Sequence, residues 1–118
     1  MLSPGEKPGC EPEKIFSVDC ELVDGDSDIA DGVSVLLTPG HTVGMQCVVV
    51  NTAEGKYIIG GDQIPLFSNW ETAVINGNGD DFAAMEVSMK KLRTTFGDVT
   101  VLPGHDELVF DRYKYRTY

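Results

Sequence analysis

Two stretches of this chain repeat one pattern, in which a run of β-branched and leucine residues leads into Pro-Gly-His. The first extends from Val33 to His41 and the second from Val99 to His105. β-Branched residues favour strands and Pro-Gly favours a turn, so each stretch predicts a strand with a histidine just past its end. The chain contains two histidines, and these are both of them. The repeat therefore favours a sheet that presents imidazoles at strand ends.

A third predicted strand, over residues 56–60, runs through Gly60-Gly61 to end on Asp62. If the three strands are neighbours in one sheet and run the same way, His41, Asp62 and His105 converge at one rim, where ligands of α/β sheets usually bind. Imidazole and carboxylate groups suit zinc and related divalent ions. The long separations along the chain exclude a short zinc-finger loop. The trio therefore predicts a metal site assembled from separate strands.

Each of these residues also has a plainer interpretation. A Pro-Gly-His turn on its own is most often just an exposed turn. Asp62 alone could cap the segment that follows it or join a surface ion pair. The occurrence of all three together favours the metal interpretation, because both histidines follow a strand and Pro-Gly, and a Gly-Gly-Asp strand end lies between them.

The remaining pattern predicts a mixed sheet with one principal helix. We expect strands over residues 14–23, 33–37, 45–50, 56–60 and 99–102, with a hairpin turn at Asp31-Gly32. We expect a helix that opens at Asp80-Asp81 and stops at Gly97, because apolar residues recur in it at helical spacings. They are Phe82, Met85, Met89, Leu92 and Phe96. Residues 63–79 read as an irregular functional loop or lid, and the tail from residue 108 is ambiguous.

Length and composition indicate one ordinary domain of 118 residues, with 42% hydrophobic and 24% charged residues. Residues 1–14, rich in proline and glycine, predict an extended or disordered lead-in, and residues 15–118 predict a single domain. The chain has three cysteines without CxxC spacing, and its start lacks the features of a secretory signal, so we expect a cytoplasmic protein. Cys47 is predicted to be a core residue. We expect no disulfide framework, and a Cys10–Cys20 disulfide is the less favoured alternative.

Charge narrows the partners that we expect. The net charge is −10, from nine basic and 19 acidic residues. Such a surface repels phosphate backbones and anionic lipid, which argues against nucleic acid and membranes. The acidic surface would modestly favour cations, although most acidic surfaces are simply solvated. Together with the family resemblance described next, this makes a small-molecule substrate the partner that we expect.

Three segments resemble the later metal motifs of the metallo-β-lactamase superfamily: Thr38–Gly44, Gly60–Asp62 and Pro103–Asp106. The helix followed by Gly-His-Asp is most similar to the N-acyl homoserine lactonases. The resemblance implies an α/β (α+β) fold, the C-terminal half of an αβ/βα sandwich. By motif, His41 resembles the third histidine on one metal, Asp62 the carboxylate that bridges two metals, and His105 the last histidine on the second. It implies one or two ions, zinc or another divalent metal, and a metal-activated water that attacks an ester or lactone.

The chain also departs from that family. It lacks the earlier His-x-His-x-Asp-His motif, and no tyrosine follows the aspartate closely in the segment from Asp62 to Phe67. We therefore expect a truncated or half domain whose exposed sheet face needs a complementary N-terminal half or a second copy. Two functions remain open, a metal-dependent hydrolase and a non-catalytic half-domain that needs a partner or self-association. Phe67 and Trp70 could line an acyl pocket, although packing in the core or lid is favoured.

Overall fold

The computed structural model describes residues 19–113, which form one mixed sheet of five strands and three helices; two helices lie between the fourth and fifth strands and the third follows the fifth. The strands are β1 (Ser27–Ala30), β2 (Val33–Leu37), β3 (Gln46–Thr52), β4 (Gly55–Gly61) and β5 (Thr100–Pro103). The helices are α1 (Phe67–Thr72), α2 (Phe82–Thr95) and α3 (Leu108–Arg112). No helix in this part of the chain is both long enough and apolar enough to cross a membrane.

The strands lie in the sheet in chain order, and this order explains where their ends meet. The first four form antiparallel neighbours, while β5 pairs with β4 in parallel. Strands β2, β4 and β5 therefore run the same way and end at the same edge of the sheet. The predicted common direction is confirmed, although β2 and β4 are not neighbours, because β3 lies between them.

Short turns set this order. Asp31-Gly32 closes the β1–β2 hairpin as predicted, with a positive φ of 73° at Gly32 that suits glycine. The β3–β4 hairpin turns at Ala53 and Glu54, so both strands extend further toward the turn than the predicted 45–50 and 56–60.

Helix α2 covers one face of the sheet. Met89 and Leu92 of the helix form a buried cluster with side chains from three strands, namely Cys47, Val49, Ile58 and Val101. The helix begins where Oδ1 of Asp81 accepts a hydrogen bond of 3.0 Å from the main-chain amide of Ala84. The predicted apolar stripe and the predicted core position of Cys47 are confirmed, except that Phe82 is 53% exposed in the first turn.

The opposite face of the sheet, called the outer face below, is also apolar. Val35, Val48, Ile59 and Leu102 occupy facing positions in β2, β3, β4 and β5. Ile59, in the middle of this row, is 44% exposed. A mixed sheet with one covered and one partly exposed apolar face is what the predicted half-sandwich requires.

Two sequence predictions differ from the structure. The predicted strand over 14–23 is absent in its described part, residues 19–23, where Leu22 is 74% exposed. The place beside β2 is taken instead by β1, which pairs along Val33 to Val35. The segment 63–79 contains helix α1 rather than being irregular throughout. The predicted lead-in over 1–14 and the residue Cys10 lie outside the described residues.

Candidate metal centre

The structure brings His41, Asp62 and His105 into contact at the shared edge of β2, β4 and β5. Oδ2 of Asp62 lies 3.3 Å from Nε2 of His41, and Oδ1 of Asp62 lies 2.6 Å from Nε2 of His105. The contacts run in a chain from one imidazole through the carboxylate to the other. As these side chains stand, residues 19–113 contain no group of three or more His, Cys, Asp or Glu arranged to surround a metal ion.

His41 is held by a main-chain acceptor. Its Nδ1 lies 2.7 Å from the carbonyl oxygen of Asn78. A carbonyl only accepts hydrogen bonds, so Nδ1 carries the hydrogen and donates it. In the neutral ring this assignment leaves the lone pair on Nε2, the nitrogen that faces Asp62. The side chain is 19% exposed, so the protein packs around most of the ring.

The turn that carries His41 is fixed against the beginning of α2. Gly40 has a φ of 140°, and a Cβ atom there would overlap the side chain of Met85. The Gly40 carbonyl accepts hydrogen bonds from the amides of Asp80 and Asp81 at 3.0 and 2.9 Å. The hydroxyl of Ser88 donates to the Pro39 carbonyl at 2.7 Å. Glycine is required here because the helix approaches the backbone directly.

A tight turn at the end of β4 presents Asp62. The Gly60 carbonyl accepts from the amides of Gln63 and Ile64 at 3.1 and 3.2 Å. Gly61 has a positive φ of 53°. The side-chain amide of Asn76 donates to the main-chain carbonyl of Asp62 at 3.3 Å. These contacts direct the carboxylate, which is 42% exposed, to the rim.

His105 reaches the same rim because its strand end lies beside the chain that follows β4. The amides of Gly104 and His105 donate to the carbonyls of Ile64 and Pro65 at 3.1 and 2.9 Å. A Cβ atom at Gly104 would lie 2.5 Å from the Gly61 carbonyl oxygen, so only glycine fits. The His105 side chain is 68% exposed and is the most open member of the trio.

Sequence reasoning missed the residues that support these three. Asn76, Asn78 and Asp106 hold the site through hydrogen bonds to groups far away along the chain. For Asn76 and Asn78 the visible signal is the turn-forming pattern Asn76–Gly79, which marks a loop but does not identify its partners. Asp106 lies in the Gly-His-Asp motif, which gave it no role of its own. Gln63 is also fully buried, donating to the Met85 carbonyl at 3.2 Å, while its Oε1 has no hydrogen-bond partner among the described residues.

The two aromatic residues considered for an acyl pocket pack elsewhere. Phe67 is 4% exposed, and the guanidinium of Arg112 lies over its ring at 4.0 Å. Trp70 packs against the buried cluster beneath α2. Both therefore take the packing role that the sequence favoured.

A pocket of about 480 Å³ lies away from this edge, along the β1–β2 hairpin. Its lining consists of residues 28–34 and Asn51 and includes none of the trio. We place the candidate site at the trio, because imidazole and carboxylate groups converge there and nothing comparable lines the pocket.

No protein-family model and no curated protein matches this sequence. Solved structures do match. An N-acyl homoserine lactone hydrolase with the product N-hexanoyl-L-homoserine bound at its catalytic metal centre is 25% identical, with a TM-score of 0.72. The match covers 80% of this chain and 38% of that one. A probable metal-dependent hydrolase from Staphylococcus aureus is 17% identical, with a TM-score of 0.65, over 74% of this chain and 32% of that one. The dizinc quorum-quenching lactonase AidC is 16% identical, with a TM-score of 0.58, over 74% and 31%.

The described residues therefore have a metallo-β-lactamase-like lactonase fold, as the motifs predicted. The similarity at 25% identity and 80% coverage carries this conclusion, and the two more distant structures agree in fold. The chain spans about two-fifths of the length of the lactonase structures, which matches half of such a fold.

Proposed function

We propose that this chain carries part of the metal centre of a metallo-β-lactamase-type hydrolase that acts on an ester or lactone. The observation that supports this most is the placement of the Asp62 carboxylate between Nε2 of His41 and Nε2 of His105. Zinc or another divalent ion, when bound at such a site, lowers the pKa of a bound water and so supplies the nucleophile.

The donor chemistry of His41 and Asp62 fits a cation. With Nδ1 of His41 donating to Asn78, the Nε2 lone pair faces a carboxylate oxygen 3.3 Å away. Two acceptors in this arrangement repel each other unless a proton or a metal ion lies between them. Two ligands of one tetrahedral zinc, with bonds of about 2.0–2.1 Å, lie about 3.3 Å apart.

The contact between His105 and Asp62 fits a bound metal ion less directly. At 2.6 Å, Nε2 of His105 and Oδ1 of Asp62 form a direct hydrogen bond, which a metal ion would have to replace. The ring is 68% exposed and therefore has room to turn. Exposure also leaves this side of the rim open to a small substrate.

One copy of the described site has too few ligands for two metals. Two histidines and one carboxylate can hold a single ion and leave a position for water. We propose that the remaining ligands come from a complementary N-terminal half or from a second copy of this chain. We propose an acylated lactone as the substrate, which the fold similarity to the lactonase structures supports.

Metal binding tests the proposal. We expect the purified protein to bind zinc in a calorimetric titration, and we expect His41→Ala and Asp62→Asn to weaken binding by about tenfold or more. Asp98→Asn is the matched control, because Asp98 is an exposed carboxylate that precedes β5, whereas His105 follows the opposite end of that strand. A protein that takes up no zinc, or variants that bind it as tightly as the parent, would overturn the proposal. Lactone hydrolysis above the metal-free background would add that the chain is active by itself.

A second candidate is a non-catalytic half-domain that acts through a partner or through self-association. The exposure of Ile59 in the middle of the apolar outer face favours it. If two copies meet there, Ile59→Asp abolishes the dimer in sedimentation experiments, whereas Val87→Asp, a change at an exposed position of α2, leaves it intact. A monomeric parent protein at every concentration would exclude self-association and leave the complementary half as the partner.

A further inference from the structure

We infer that Asn76 is a positioning residue that sets His41 and Asp62 relative to each other through a single side-chain amide. This inference rests on the proposed metal site. Nδ2 of Asn76 donates to the main-chain carbonyl of Asp62 at 3.3 Å. Oδ1 of Asn76 accepts from the main-chain amide of Asn78 at 3.1 Å. The carbonyl of that same Asn78 accepts from Nδ1 of His41 at 2.7 Å.

Both the donor and the acceptor of the Asn76 side-chain amide therefore form a hydrogen bond, one toward Asp62 and one toward the loop that contacts His41. The donor end holds the chain where β4 ends, and the acceptor end holds the loop residue that orients His41. A side chain with only a donor or only an acceptor could hold one side but not both. The hydrogen bond from Asn76 to the Asp62 carbonyl is partly buried and therefore faces less competition from water than the exposed bond between Asn76 and the Asn78 amide.

The loop that contains Asn76 needs such a support because its glycine-rich backbone can adopt many conformations. It lies between helices α1 and α2, and its sequence alternates Asn76-Gly77-Asn78-Gly79. At Gly79 the loop passes directly over the histidine turn, since a Cβ atom there would lie 3.0 Å from Cα of His41. A shift of this loop therefore moves the acceptor of His41.

The consequence for the site concerns the hydrogen on the imidazole. While the Asn78 carbonyl accepts from Nδ1, the lone pair stays on Nε2 and faces Asp62. Without Asn76 the carbonyl moves, and the ring also populates the form with the hydrogen on Nε2. In that form the hydrogen must move back to Nδ1 before Nε2 can bind a metal, so metal affinity falls. Loss of a group that orients a metal-binding histidine typically costs about 10–100-fold in affinity.

The test compares Asn76→Ala with Asn78→Ala. The second is a matched control, because Asn78 is exposed and holds His41 through its main chain, which the substitution retains. Zinc affinity is measured by competition with a chelating dye. The hydrogen position on His41 is read from long-range ¹H–¹⁵N spectra of the metal-free protein at about pH 8.5, above the ordinary imidazole pKa. We expect Asn76→Ala to bind zinc about tenfold more weakly and to give mixed tautomers, and Asn78→Ala to match the parent.

Asn76→Ala that matches the parent in both measurements would overturn the inference, and so would an equal loss in Asn78→Ala. A parent that binds no zinc would count against the proposed function, while the tautomer comparison would still decide the role of Asn76. If Asn76→Ala does not fold, Asn76→Asp replaces it, since it keeps the acceptor for Asn78 and loses the donor to Asp62. We then expect the Nδ1-bonded tautomer with weaker zinc binding, and parental affinity would overturn the inference.

Discussion

The main-chain amide of Phe67 donates a 2.9 Å hydrogen bond to Oδ2 of Asp106, a residue 39 positions further along the chain. Oδ1 of the same carboxylate accepts from the amide of Leu108 at 3.0 Å. One side chain thus ties the beginnings of α1 and α3 together beside His105. The aspartate of the Gly-His-Asp motif, next to His105 in the chain, therefore has a structural role, because it holds two helix beginnings.

Asp106→Ala removes both hydrogen bonds and leaves two helix beginnings without this acceptor. We expect the free energy of unfolding to fall by about 1–2 kcal/mol, the size of a lost helix cap, and zinc binding through His105 to weaken. Denaturant titration and calorimetry measure the two effects. Glu107→Ala is the control, because Glu107 is exposed and makes no side-chain cap. Equal stability of the two variants would contradict the prediction.

Gly40→Ala tests the turn that carries His41. The substitution places a Cβ atom against Met85 at a φ of 140°, so we expect a loss of about 2–4 kcal/mol in unfolding free energy from overlap and backbone strain. Gly97→Ala, where nothing lies within 4 Å of the added atom, is expected to leave stability nearly unchanged. Denaturant unfolding of both variants checks this, and a Gly40→Ala protein as stable as Gly97→Ala would show that the turn can relax.

Asp26 supplies a pH-dependent contribution to stability. Its carboxylate accepts hydrogen bonds from Lys91 Nζ at 2.8 Å and from the Leu37 amide at 2.7 Å, and these lower the pKa of Asp26 below its ordinary value of 3.8. The folded state therefore favours the charged form, so the contribution is present above pH 3.8 and is lost as the pH falls through the folded-state pKa.

We expect Asp26→Asn to cost under about 1 kcal/mol at neutral pH, because the pair is largely exposed and screened by solvent. The difference from the parent should shrink as the pH falls below 3.8, measured as unfolding free energy against pH. Asp24→Asn, an exposed carboxylate in the same loop, serves as the control. A difference for Asp26→Asn that stays constant into strong acid would contradict the assignment.

Cys47 is expected to resist alkylation in the folded protein. Its side chain is fully buried, near Thr38 Oγ1 at 3.4 Å, and burial raises the pKa of the thiol. Since the thiolate is the reactive form, iodoacetamide should modify Cys47 only after denaturation. The exposed Cys20 gives the comparison within the same chain. Peptide mass spectrometry measures both sites, and rapid native modification of Cys47 would contradict the packing of the buried cluster.

Elements with a strong local signal were predictable from the sequence. The Asp31-Gly32 turn fixes the β1–β2 hairpin, and the apolar spacing from Met85 to Leu92 fixes the face of α2 that packs on the sheet. Helix α1 was not predicted, because the Phe67 amide at its beginning is held by Asp106, whose place is set by β5. The described part of the predicted strand over 14–23 fails because the edge of β2 is already paired with β1.

The sequence by itself determined which side chains lie at the candidate site, because residue types and strand-end positions are local properties. A β-branched run, a Pro-Gly or Gly-Gly turn and the residue after it suffice to place His41, Asp62 and His105 just past strand ends. Only the tertiary structure decided that the antiparallel β3 lies between β2 and β4 and still leaves all three ends at one edge. It also decided that Asn76 contacts Asp62 and that Asn78 contacts His41. Hydrogen bonds between residues far apart in the sequence result from packing and produce no recognisable sequence pattern.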